Sequence, residues 1–486
     1  MDSINELLKA KLYDPYQVNG VKWMLNREVS RYPGGINADE VGLGKTIMTI
    51  ATMIGNPLDR TLILAPKSLV LQWEKEFQKF APHIIPFVNK LPFGKKYISF
   101  VTIASHSQII KRDKKPDESE YHKMNWNRVI IDEGHVIKNN KTKLHKAVQA
   151  LNTDVKWCLS ATPVMNRLDE FVNIMSWIGP SKEECCTAEG KMNIVNEFIL
   201  RRTKEDVAQF DKKFQLPPLN ITKLQVPLNT DLEKAVYSSA WEKVREEIKK
   251  LKKQEIHNNA FEALELLLRM RQICIHPQIF YSGVSKKRKL KTIEQYEGQC
   301  SKLNALIDIL KTKTDEKSLV FCSFIQEMEL YSTRMKEEGL SVVHLDGSMT
   351  LEERSIVVKN FNTRPDIQVF LIQINTGGVG YNLQSATNVF ITEPTWNPAL
   401  EHQAIGRAHR TGQTKQVNVV KLITTLPESE VPTVEQFIQD LQERKLDMIS
   451  EVLNDRRIVT VEKGARVQKI EQQITFKDIA KMFKVK

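Results

Sequence analysis

Residues 38–46 read "ADEVGLGKT". The ending Gly44-Lys45-Thr46 fits the phosphate-binding loop G-x-x-x-x-G-K-[ST], yet the place of its first glycine is held by Asp39. The eight residues that follow, "IMTIATMI" (47–54), carry apolar side chains at helical spacing, so the loop opens a helix. Helix N-termini attract phosphate oxygens through their unpaired N–H groups and the dipole behind them. Gly42 and Gly44 permit the tight turn, Lys45 reaches the β and γ phosphates, and Thr46 suits Mg²⁺. The competing reading is a glycine-rich loop that merely caps a structural helix.

The surroundings decide between these. "TLILAP" (61–66) is a buried-strand pattern, followed by a helix whose Leu69, Trp73, Phe77 and Phe80 share one face. "RVIID" (128–132) and "KWCLSAT" (156–162) are further buried strands with polar ends. Strands alternating with helices imply a parallel sheet covered on both faces, with functional groups beyond the strands' carboxyl ends. From 201 to 300 the chain reads as helical and charged, with an exposed loop expected at "GVSKKRKLK" (283–291). After 300 the alternation resumes in "SLVFCSF" (318–324), "SVVHLDG" (341–347), "IQVFLIQ" (367–373) and "NVFITEP" (388–394). Ser323-x-x-Gln326 and Thr350-x-x-Glu353 fit capping boxes. The expected architecture is α/β: an N-terminal lobe (1–200), a helical insertion (201–300), a second α/β lobe (301–425) and a helical brace with tail (426–486).

Bulk properties narrow the function. The 486 residues are too many for one core. No apolar run approaches the roughly 20 residues that span a bilayer. The N-terminus lacks an apolar signal core, so an intracellular protein is expected. Six scattered cysteines without a C-x-x-C pair fit a reducing compartment. The net charge of +12 favours polyanions, nucleic acid first.

Two further elements carry chemistry. In "VIIDEGH" (129–135), a buried strand ends in two carboxylates: Asp132 suits the Mg²⁺ shell and Glu133 suits orienting or deprotonating water. Alone, such a pair is commonly a solvated turn; the phosphate loop upstream in the same lobe reverses that. "LSATP" (159–163) ends the next strand, with Ser160 and Thr162 placed to sense the acids. In the second lobe, "PALEHQAIGRAHRTGQ" (398–413) begins a helix with Asn397 as cap and Pro398 at its first position. Gln403, Arg407 and Arg410 are spaced four and three apart and are expected on one face, where two guanidiniums clamp transferring phosphate.

The ordered set "YQVNG" (16–20), "ADEVGLGKT", "LAPKSLVLQW" (64–73), "DEGH", "LSATP", "GGVGYNL" (377–383) and "GRAHRTGQ" resembles the Swi/Snf family of helicase-like ATPases, within helicase superfamily two. The resemblance covers residues 10 to about 450. In that family Asp commonly stands where other phosphate loops have the first glycine, which accounts for Asp39. The resemblance implies RecA-like lobes, ATP with Mg²⁺ held by Thr46 and Asp132, and a loop cradle of Asp39, Glu40, Val41, Gly42, Leu43, Gly44, Lys45 and Thr46. It further implies that Gln17 reads adenine, that Glu133 activates water, and that Gln403, Arg407 and Arg410 complete catalysis. "ILRRTKEDV" (199–207) resembles the family signature after the first lobe. "MRQICIHP" (270–277), "DEGH" and "EPTWNP" (393–398) lean toward the repair-type branch that includes the helicase-like transcription factor. That branch normally carries a RING insertion. No Cys/His cluster for one exists here, so the chain reads as a stripped motor of the extent found in microbes and large DNA viruses.

The expected track is double-stranded DNA, held mainly through phosphates at Ser68, Ser348 and the backbone of Gly378, with nucleosomes or other DNA-bound proteins as cargo. Trp396 either braces nucleic acid or fills core. The lysine runs 249–253 and 286–289 either line the DNA path or are solvated faces, and the latter also resembles a nuclear-import signal. A monomer that translocates without separating strands is expected. A strand-separating helicase and an inactive scaffold are the alternatives.

Overall fold

The computed structural model describes residues 2–92, 98–110, 119–161, 168–186, 188–210, 215–253, 259–288, 293–377, 381–410, 412–427, 432–453 and 476–484. Two compact units emerge, one built on Met1–Leu216 and the other on Pro217–Met448. Among the described residues each holds one parallel sheet.

The first sheet contains β1 (Gly34–Asn37), β2 (Arg60–Ala65), β3 (Phe87–Val88), β4 (Phe100–Ser105), β5 (Asn125–Asp132), β6 (Asn152–Leu159) and β7 (Ile199–Leu200). Their spatial order is β3-β4-β2-β5-β6-β1-β7. Its core joins Ile63 of β2, Ile130 of β5 and Trp157 of β6 to Met48, Trp73 and Phe77 on the covering helices. The helix after "LAPK" spans Val70–Phe80; Trp73 and Phe77 are buried in it, with Leu69 and Phe80 packed alongside. That is the stripe its spacing predicts. Beneath the sheet, Glu28 is fully buried and takes Arg128 through Nε (2.7 Å) and the Trp157 indole N–H (2.8 Å).

The second sheet contains β8 (Leu219–Pro227), β9 (Lys317–Cys322), β10 (Val342–Leu345), β11 (Val369–Gln373), β12 (Ala386–Ile391) and β13 (Val417–Thr425), in the order β10-β11-β9-β12-β13-β8. Alternation along β9 separates its two faces. Leu319 and Phe321 pack with Phe361 and Ile405, whereas Val320 and Cys322 pack with Leu306 and Tyr331.

Three local expectations need correction. Residues 201–300 are not wholly helical: β8 lies within them, runs parallel to β13 over nine residues and forms an edge of the second sheet. Its outward exposure from Leu219 to Lys223 removes the apolar run by which buried strands are recognised. The loop expected from 283 is helical as far as Arg288, in Pro277–Arg288. Ser323 and Gln326 do not form a capping box. Glu327 accepts the N–H groups of Ser323 (2.9 Å) and Phe324 (3.2 Å), while Gln326 reaches Ser282 (2.6 Å). The Thr350–Glu353 box is present, with Thr350 N–H on Glu353 at 2.7 Å. The first turns of the helix Val434–Leu453 pack on the helical part of the second unit, burying Val434 and Ile438 against Tyr237, Leu267 and Met270.

Candidate nucleotide site

The loop follows β1, whose four residues are buried between β6 and β7. Gly44 caps the helix Lys45–Gly55 at φ 85°, and Gly42 lies at φ 95°. Both angles favour glycine. A Cβ on Gly44 would also stand 2.4 Å from Gln17 Nε2. The Gln17 amide braces this turn: it accepts from Tyr13 N–H (3.0 Å) and donates to the Leu43 carbonyl (3.2 Å).

Asp39 is fully buried and serves the loop itself. Its Oδ1 accepts the N–H and Nε–H of Arg202, both at 3.0 Å, and its Oδ2 pairs with the same guanidinium. Glu40 takes Lys204 twice, from the backbone N–H (2.9 Å) and from Nζ (3.1 Å). Arg201 donates to the carbonyls of Ala38 and Ala161, both at 3.0 Å. The "RRTK" segment thus staples the loop from behind. The backbone N–H groups of Asp39 and Glu40 are turned to Asn37 and Arg202, which leaves Gly42, Gly44, Lys45 and Thr46 to offer donors. The Lys45 ammonium donates to the Asp39 carbonyl (2.7 Å). Burial lowers its pKa, opposed by the charges of Glu133, Asp39 and Asp132.

At the end of β5, Asp132 accepts the Trp73 indole N–H on Oδ2 (2.8 Å) and the Glu133 N–H on Oδ1 (2.9 Å). His106 Nε2 meets the Asp132 carbonyl at 3.1 Å. Burial holds the His106 imidazole neutral, with its pKa down to about 4. Burial, then the neighbouring Glu133 charge, raises Asp132 to about 6. Glu133 sits at φ 51° and ψ 47°, the left-handed region, a strained setting for a non-glycine residue that concentrates at functional sites. His135 Nδ1 lies 3.3 Å from Glu133 and 3.4 Å from Ser160, linking the acid pair to the end of β6. Gly134 is dictated by space: a Cβ there would stand 2.1 Å from Cys158 Sγ.

These residues fit Mg²⁺ with a nucleoside triphosphate: a helix N-terminus and an ammonium for phosphate, a hydroxyl and a carboxylate for a hard cation. A carboxylate offers about four lone-pair positions, and two protein donors leave Asp132 capacity for a metal.

In the second unit, Asn397 Oδ1 accepts Ala399 N–H (3.1 Å) and Pro398 opens the helix Pro398–Ala408, as expected. Arg407 is buried and Gln403 half-buried on this helix. Arg410 does not share its face, because the helix ends at Ala408 and Arg410 lies in the turn beyond. Gln413 sets that stop. Its amide donates to the carbonyls of Gln384 (3.0 Å), Ala386 (3.1 Å) and Ala408 (3.2 Å).

Of the expected track contacts, Ser68 stands in the turn before the helix Val70–Phe80. Ser348 directs its N–H (2.7 Å) and hydroxyl (2.5 Å) to Asp346. Trp396 packs against the helical cluster, 5.5 Å from the Arg271 guanidinium. Thr162, Gly378, Lys289 and the tail at 454–475 lie outside the described residues. Sequence reading passed over Trp73 and His106 as partners of Asp132 and took "RRTK" only as a signature; the charge pattern Asp39-Glu40 against Arg202-Lys204 was the available signal.

Two covered parallel sheets, a phosphate loop and a strand-end acid pair define a nucleotide-binding core of helicase type. Residues 16–187 match the family described as SNF2-related domain, and residues 301–412 match the helicase conserved C-terminal domain. The chain thus carries an SNF2-related domain followed by a helicase conserved C-terminal domain. It is 30% identical over 498 residues to the "Probable ATP-dependent DNA helicase CHR23" of Arabidopsis thaliana, covering 92% of this chain and 44% of that protein. It is 28% identical to the "Probable global transactivator" of Orgyia pseudotsugata multicapsid polyhedrosis virus, covering 90% and 91%. It is 29% identical to the mouse "SWI/SNF-related matrix-associated actin-dependent regulator of chromatin subfamily A member 1", covering 91% and 44%. The chain thus spans less than half the length of the plant and mouse relatives and most of the viral one.

Proposed function

We propose that this chain is an ATP hydrolase driven by duplex DNA, which translocates along the double strand and displaces or remodels the protein bound there. The observation that carries this reading is the convergence of the loop Gly42–Thr46 and the acids Asp132 and Glu133 at one edge of the first sheet. Bound Mg²⁺ would supply charge neutralisation of the phosphates, held by Thr46 and Asp132. Lys45 and the helix N-terminus orient the phosphates, and Glu133 takes the proton of the attacking water. By the resemblance, Gln403, Arg407 and Arg410 also take part, the arginines being suited to the charge that develops during transfer. The net charge of +12 and the names of the plant and mouse relatives support DNA as track and chromatin-like protein as cargo. Nuclear residence is part of this proposal. No described helix is long and apolar enough to cross a membrane.

The test is ATP turnover with no nucleic acid, single-stranded DNA, duplex DNA and RNA, beside Glu133→Gln. Stimulation by duplex that the variant loses is the expected result. Preference for single strands or RNA, or strand release from a tailed duplex, would overturn the translocase reading.

A further inference from the structure

Trp73 belongs to the wall of the first unit's core, being 2% exposed and with its ring 6.3 Å from that of Phe77. Packing explains the ring but not the direction of the indole N–H, which is aimed at Asp132 Oδ2 at 2.8 Å. The partner strands fix this meeting. β2 and β5 are neighbours with Leu64 opposite Ile131, so the helix that leaves β2 begins beside the carboxylate that ends β5. Only a short turn carrying Ser68 separates the two elements, and Trp73 lies in the first full turn after it. Trp73 N–H bonds within its helix to the Leu69 carbonyl (2.9 Å), so the residue moves with that turn as one body. On the other side of Asp132, Glu133 N–H holds Oδ1 and His106 holds the backbone carbonyl. The indole is therefore the one side-chain donor, among the described residues, that sets the rotation of this carboxylate.

We propose that Trp73 is a positioning residue with two duties: it orients Asp132 for the metal, and it transmits displacement of the Ser68 turn to that carboxylate. The second duty rests on the function proposed above and on the expectation that Ser68 in this turn meets the track. The first does not. Partners that orient a metal ligand typically change metal affinity by about tenfold or more when removed. A donor carried by the track-facing helix makes the orientation depend on where that helix sits.

The test uses the full chain and Trp73→Phe, which keeps an aromatic ring while deleting the N–H together with part of the ring volume. Phe77→Leu disturbs the same helix packing and spares the donor. The first readout is binding of a fluorescent ADP analogue as Mg²⁺ is titrated, which needs no turnover. Trp73→Phe is expected to raise the half-maximal Mg²⁺ concentration about tenfold, with Phe77→Leu unchanged. Equal shifts in both variants, or none in Trp73→Phe, would overturn the positioning role. The second readout is the ratio of turnover with and without saturating duplex. Trp73→Phe is expected to lower this ratio several-fold while duplex binding without nucleotide stays at the wild-type level. An unchanged ratio overturns the transmission duty. Absence of duplex stimulation in the wild type would sink the proposed function and transmission together, and the Mg²⁺ titration would still decide the positioning role.

Discussion

Each unit gathers carboxylates where its sheet strands end, and the two gatherings have opposite characters. In the first, Asp132 and Glu133 stand near the ammonium of Lys45, which is held by a loop carbonyl. In the second, Glu435, Glu393 and Glu327 are saturated. Lys302 Nζ donates to both oxygens of Glu435 (2.5 and 2.6 Å) and to the Thr392 carbonyl (2.8 Å). Arg271 grips Glu393 through two bonds of 2.6 and 3.0 Å. Glu327 takes Ser323, Phe324 and the Thr392 hydroxyl. These acids are at most 2% exposed, whereas Asp132 and Glu133 are partly open. Acid clusters alone therefore say little about chemistry. What separates them is whether the fold spends the carboxylate oxygens on its own cations and hydrogen-bond donors, as burial requires, or leaves lone pairs for a ligand.

Removing one carboxylate from each cluster breaks the comparison most sharply. Glu133→Gln is expected to lower turnover by about 10²–10⁴-fold, the range a positioned base supplies. Binding of a fluorescent Mg²⁺–ADP analogue and the melting temperature should hold. In the second unit the effect falls on stability instead. Lys302→Met strands Glu435 and costs roughly 3–5 kcal/mol. The loss is read as faster amide exchange across Ser301–Lys311, with nucleotide affinity unchanged. If Lys302→Met abolished nucleotide binding while sparing exchange, the structural assignment of the second cluster would fail.

How much of this contrast was legible beforehand follows from range. The loop, the acid pair and the two α/β lobes are local patterns: a glycine at a turn, two carboxylates after an apolar run, alternation of strand and helix. They read directly, and the two parallel sheets that the alternation implies are present, the second with β8 added from the stretch expected to be helical. β8 was hidden because an exposed edge strand has no apolar run to show. The end of the helix at Ala408 was hidden because its stop is a glutamine amide reaching three carbonyls, two of them distant in sequence. The staples of Arg202 on Asp39 and Lys204 on Glu40 span more than 160 positions, and no periodicity announces them.

The pH dependence of the second cluster sharpens the contrast. Burial, then the charge of Glu393, raises Glu327 to about 7 from an ordinary 4.5. Between those values the unfolded chain releases this proton while the folded chain retains it, so stability falls as pH rises through the window. Glu327→Gln has no proton to release. It is expected to be more stable than wild type by about 3 kcal/mol at pH 8, and to lose that advantage below pH 4.5. Equal urea midpoints at pH 8 would show that the carboxylate is charged at no cost.

The smallest expected effect tests the shape of the first cluster. Gly134 follows Glu133, and its missing Cβ leaves room for the Cys158 thiol, which sits behind the acid pair on β6 and is fully buried. Gly134→Ala overpacks that contact, at about 1–3 kcal/mol of stability, and forces either β6 or the left-handed Glu133 backbone to shift. Cys158→Ala removes the sulfur, so the double variant is expected to recover most of the stability lost by Gly134→Ala alone, an interaction that a double-mutant cycle reads directly. Turnover should recover in step, because Glu133 is then free to keep φ 51°. Additive losses in the cycle would mean that Gly134 is required for the path of the backbone and not for the sulfur beside it.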